Sequence, residues 1–161
     1  MRRSSVILSL ALLGLVAALT PMAGDYLAMR ELLAQTTEAR QLFLAIQSAA
    51  LDRKQTGQGV AYPVDSKIPS TAAYLDRLRQ EKYWQGNDRT ILRNFVVANV
   101  STSDPDDTVL LLSRNAYVAL KAGHVPRHYA LFLKNGDEEA AQAGTSDFFK
   151  LPPRQPAFLT P

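Results

Sequence analysis

Cysteine is absent from all 161 residues of the chain. That excludes a disulfide framework, a lipidated cysteine anchor, a cysteine zinc site and a thiol nucleophile. Histidine is almost absent, with only His124 and His128. No acid precedes Asp25. The chain also lacks a P-loop, a G-x-G-x-x-G fingerprint, a G-x-S-x-G elbow and an H-E-x-x-H pair. No nucleophile, base and orienting group can be combined, so the sequence reads as non-catalytic. It designates no catalytic, cofactor-binding or metal-ligating residue, no cofactor and no small-molecule substrate.

The formal charge of +3 carries little information. Two of the eighteen basic residues, Arg2 and Arg3, lie in the leader, which leaves sixteen against fifteen acids. No basic patch is interleaved with aromatics, so nucleic acid is not an expected partner.

What is present begins at the amino terminus. Arg2 and Arg3 precede an apolar run from Val6 to Ala23, interrupted only by Ser9, Gly14, Thr20 and Pro21. These 18 residues fall between a signal-peptide core of about 7–15 and a membrane span of about 20. Val16-Ala17-Ala18 and Met22-Ala23-Gly24 are poor cleavage sites. The run therefore reads as an uncleaved anchor, with a cleaved signal as the alternative. Arginines before it and Asp25 after it place the amino terminus in the cytoplasm and the remainder in the periplasm. The expected organisation is an anchor or signal-like segment over 1–23 and an α+β head over 24–161.

The run passes without a loop signal into an amphipathic pattern. Met29, Leu32, Leu33, Thr36, Ala39, Phe43, Ile46, Ala49 and Ala50 recur at steps of three and four. That predicts one long helix to about Leu51, closed by Asp52-Arg53-Lys54 and broken by Gly57 and Gly59. The stripe through Leu33, Phe43 and Ile46 is expected to cover a sheet. Pro21 is expected to kink the helix. Small residues Ala11, Gly14, Ala17 and Ala18 would allow close helix approach in a membrane.

The remainder predicts an α+β unit. Ser70 is a candidate N-cap for a helix over 71–80, and a helical turn is expected near 88–93. Strands are expected over 95–100, 108–112 and 129–134, forming an antiparallel meander on the long helix. The 108–112 run should be buried on both faces. Asp104-Pro105-Asp106-Asp107 and Asn135-Gly136-Asp137 read as turns. The proline-containing tail from Leu151 should be extended. His124 and His128 are four apart, but Pro126 between them removes the helical geometry that a metal pair needs. The acids at Asp104, Asp106 and Asp107, and at Asp137, Glu138 and Glu139, read as solvated turns. Tyr83-Trp84 reads as core rather than as a ligand platform.

The order of a basic start, an apolar helix with a proline, an amphipathic continuation, a loop and a terminal sheet resembles the type IV pilin and type II secretion pseudopilin superfamily. Glu38-Ala-Arg-Gln-Leu-Phe-Leu-Ala-Ile-Gln47 is similar to the distal first helix of that group. Phe95–Leu112 and Tyr129-Ala-Leu-Phe-Leu-Lys-Asn-Gly-Asp137 resemble its sheet and following turn. The resemblance implies a structural subunit anchored in the inner membrane by a single pass, working through contacts with other pilin-like subunits rather than chemistry. It also points to Asn135, Asp137 and Asp147 as the region where major pseudopilins hold calcium, but Glu138-Glu139-Ala140-Ala141 replaces the glycine-rich pattern. The prepilin cleavage signature is missing: no glycine precedes Val6 and no carboxylate lies within 1–23. The other function left open is an exported periplasmic domain that binds a ligand or partner after loss of its leader.

Overall fold

The computed structural model describes residues 23–56, 62–64, 67–126, 128–134, 136 and 157–160, and the backbone alone of 2–22 and 138–142. It is α+β, with one long amino-terminal helix packed on a small antiparallel sheet. Helix α1 runs Arg2–Gln55. Then come α2 (Thr71–Gln80), α3 (Asp88–Asn94), β1 (Phe95–Val97), β2 (Val109–Ser113), α4 (Arg114–Lys121), β3 (His128–Leu133) and β4 (Glu138–Gln142). Among the described residues no helix is long and apolar enough to cross a membrane. The expected anchor, the proline kink and the small residues at 11, 14, 17 and 18 lie outside the described side chains.

The buried face of α1 consists of Leu32, Thr36, Ala39, Leu42, Phe43, Ala45, Ile46 and Ala49. Phe43 stacks on Phe132 of β3, with ring centroids 5.6 Å apart. Leu33, expected in this stripe, is 48% exposed, whereas Leu42, not among the expected positions, is fully buried. Successive helix residues turn by about 100°, so the sheet that takes Leu32 turns Leu33 outward.

Helix α2 starts at the expected cap. The Ser70 hydroxyl accepts the Ala73 N–H at 3.1 Å. It ends with Tyr83 N–H on Leu78 O at 2.9 Å and Lys82 N–H on Arg79 O at 3.0 Å. This crossed pair of bonds requires a left-handed residue between them, and Lys82 supplies it with φ +67°. The chain then drops Trp84 into the core, where its Nε1 donates to Asp88 Oδ1 at 2.6 Å. Arg79 pairs with the same carboxylate. Gly86 lies against the indole so closely that an added Cβ would fall on the ring. Asn87 then caps α3 through the Thr90 N–H.

The sheet has the order β1-β2-β3-β4, with antiparallel neighbours throughout. The meander is therefore as expected, but it has a fourth strand. The turn at Gly136, φ +106°, does not end the sheet; it leads back into β4. All of β2 is buried, as its unbroken apolar run requires. On one face Val97, Leu111, Ala130 and Phe132 join α1, α2 and α3. On the other, Val96, Leu112, Tyr129 and Leu131 pack on Ala116 of α4, an element the sequence reading did not contain. Strand β1 stops at Val97, three residues earlier than expected. Residues 157–160 run extended beside it: Leu159 N–H reaches Val97 O at 2.9 Å, and Thr160 O accepts the Thr71 N–H at 2.9 Å. The preceding tail, 151–156, lies outside the described residues.

Candidate functional surfaces

Among the described residues, five large apolar side chains of α1 are left in solvent, and all but Leu27 fall on one line. Tyr26, Leu33, Leu44 and Leu51 are between 48% and 67% exposed. They are separated by seven, eleven and seven residues. At 3.6 residues per turn these steps return to within about 20° of one another. The four side chains therefore form one straight seam about 38 Å long, on the side of the helix away from the sheet. Scattered exposed leucines are ordinary, but alignment of this kind makes a continuous strip that a second apolar helix could cover. Covering each leucine would contribute about 1.5–3 kcal/mol before the entropy of association.

A polar notch of about 500 Å³ opens where α1 ends beside the end of α2. Glu81 Oε1 accepts from Arg53 and from Arg77 Nε, the latter at 3.0 Å. Tyr83 donates its hydroxyl to Asp52 Oδ2 at 2.7 Å. That hydrogen bond, then slight desolvation and the Asp52 charge, push the phenol above its ordinary pKa. These pairs join α2 to the end of α1. Among the described residues its two arginines are matched by two carboxylates, with Glu81 Oε2 left without a partner.

The remaining residues singled out by sequence are dispersed. His124 is exposed in the turn after α4, with its backbone N–H on Ala119 O at 2.9 Å. His128 opens β3 and places Nε2 3.3 Å from Asp25 Oδ1 on α1. Asp104 closes its own turn by accepting the Ser101 N–H at 2.7 Å. Trp84 is buried and Tyr83 lies at the notch, so this pair is no joint platform. The side chains of Asn135, Asp137, Glu138, Glu139 and Asp147 lie outside the described residues. Among the described residues no three His, Asp or Glu side chains are grouped to hold a metal ion.

One constellation had no sequence signal. Lys134, expected to end a strand, is instead 8% exposed and turns under the 101–108 loop. Its Nζ donates to Thr102 O at 2.7 Å and Asp104 O at 2.6 Å, lies 3.9 Å from Asp106 Oδ1, and sits 5.3 Å from the Tyr62 ring centre. Burial first, and Asp106 second, raise the Tyr62 pKa against a hydrogen bond with Gln47 that lowers it. Nothing distinguishes Lys134 in the sequence from any lysine after a strand, since its carbonyl acceptors come from a distant turn.

No family model, no curated protein and no solved structure matches this chain.

Proposed function

We propose that the protein is a pilin-like, pseudopilin-type structural subunit of a type II secretion or type IV pilus-type assembly. Val6–Ala23 anchors it in the inner membrane, with the amino terminus cytoplasmic and the head periplasmic. It acts through helix and head contacts with other pilin-like subunits, without catalysis. The observation that carries this reading is the seam of Tyr26, Leu33, Leu44 and Leu51 along α1. One face of the helix holds the head, and the other offers an apolar strip that a neighbouring helix could cover. The lack of a carboxylate before Asp25 makes the subunit a minor component rather than a repeating one.

Photocrosslinking from Leu33 and Leu44, and from Gly14 and Ala18 in the apolar segment, tests the proposal. Adducts should contain other pilin-like proteins more often than copies of this chain. A long ladder of self-adducts would refute the minor role, and no pilin-like adduct at all would refute assembly. Alkaline carbonate should leave the chain in the membrane pellet. Release of a species starting near Asp25 would favour the exported soluble domain.

A further inference from the structure

A second, smaller cavity of about 320 Å³ lies between α1, the end of α3 and the start of α4. Glu31 and Gln35 line it from α1, Arg93 and Asn94 from α3, and Arg114 and Asn115 from α4. Its charges do not cancel as those of the larger notch do. Glu31 Oε1 already accepts from Gln35 Nε2 at 3.3 Å. Asn115 Nδ2 donates outward to His128 O at 2.9 Å. Arg114 spends one terminal nitrogen on Leu92 O, the last turn of α3. Its Nε is buried without an acceptor among the described residues. Arg93 is exposed at the rim.

We propose that this cavity binds a phosphate oxyanion. A buried guanidinium N–H with no acceptor costs stability, and an anionic oxygen is the group that would remove that cost. Two guanidinium forks with side-chain amides beside them match the several oxygens of phosphate better than the single oxygen of a carbonyl. One committed carboxylate against two arginines leaves the cavity net positive. Its position narrows the source. Glu31 lies eight residues beyond Ala23, about 12 Å along the helix. If Val6–Ala23 spans the membrane as proposed above, that is about 4–7 Å outside the headgroup layer, itself about 5–8 Å thick on each side. The same chemistry fits an anionic lipid headgroup or free phosphate. Only the headgroup source rests on the membrane reading.

The test uses the full chain, labelled with ¹⁵N and solubilised in dodecyl maltoside, with the Arg114 Nε–H resonance as readout. Titration with inorganic phosphate, against chloride at equal ionic strength, should move that resonance saturably. Arg93→Gln, an exposed change that leaves the Leu92 bond intact, should weaken the response about tenfold. A parallel measurement compares nanodiscs of phosphatidylcholine with and without phosphatidylglycerol. A response to free phosphate supports the pocket with a soluble source. A response confined to phosphatidylglycerol discs supports it with a headgroup source. No movement in either arm, or movement that Arg93→Gln leaves unchanged, overturns the proposal. Should carbonate extraction release the chain from membranes, the anchored reading falls while the phosphate titration still decides the pocket.

Discussion

Helix α1 carries leucines of two fates. Leu32 and Leu42 are buried under the sheet, and Leu33 and Leu44, each within two residues of a buried neighbour, face solvent. Their chemistry is identical, and so is the helix beneath them. Only the angle at which the sheet meets the helix separates them. Hydrophobicity therefore records that a helix has apolar surface to cover, while the docking angle decides which part its own head covers. The remainder faces solvent.

The sharpest way to break this comparison uses adjacent residues. In residues 24–161, expected to fold as a monomeric head, Phe43→Asp should cost about 3–5 kcal/mol in urea unfolding, because it places a charge against Phe132. Leu44→Asp should change stability by no more than about 0.5 kcal/mol but should abolish crosslinking from the seam in the full chain. Equal losses at both positions would mean that Leu44 belongs to the core.

A single carbon sharpens the contrast. Gly86→Ala should lower stability by about 1–3 kcal/mol, since the methyl group falls on the Trp84 ring. Gly24→Ala in the full chain, with nothing near its Cβ, should leave the head intact and stabilise α1 by about 0.5–1 kcal/mol. Thermal melts of the two variants read the difference directly.

The buried side can also be followed by pH. Tyr74 is 1% exposed, and burial, ahead of its neighbours' charges, raises its pKa far above the ordinary phenol value. In the unfolded chain it ionises near pH 10. Its contribution is therefore complete below that pH and is lost as pH rises toward the folded value. The loss should be about 1.4 kcal/mol per unit above pH 10. Tyr74→Phe should flatten that alkaline slope while costing some stability at neutral pH. An unchanged slope would show that another group governs it.

The smallest effect concerns the end of α2. Lys82 holds a left-handed conformation that glycine adopts without strain. Lys82→Gly should stabilise the head by about 0.5 kcal/mol, the relief of strain being partly offset by the added freedom of the unfolded chain. A loss in the same urea assay would show that the lysine side chain contributes a contact of its own.

Periodic features were legible in the sequence. The three-and-four spacing marks α1, Ser70 marks the start of α2, and the apolar runs mark the first three strands. Helix α4 was missed because Ala116-Tyr117-Val118-Ala119-Leu120 is apolar without a break, and only Ala116 is fully buried. Strand β4 was missed because Glu138-Glu-Ala-Ala-Gln142 favours helix by local preference, and pairing with β3 overrides that preference. The polar notch, the arginine cavity and the Lys134 site bring together residues from separate elements. No spacing along the chain encodes such meetings; they arise only once helices and strands are docked.

Lys134 has a consequence beyond packing. Carbonyl oxygens from a turn, with a carboxylate nearby, are the donors with which loops elsewhere enclose a hard cation. Here the cation is covalently part of the chain and cannot diffuse away. Its effective concentration is fixed by the strand that carries it rather than by the surrounding medium. The 101–108 loop should therefore keep its shape in the presence of a chelator and through swings in the ionic composition of the medium.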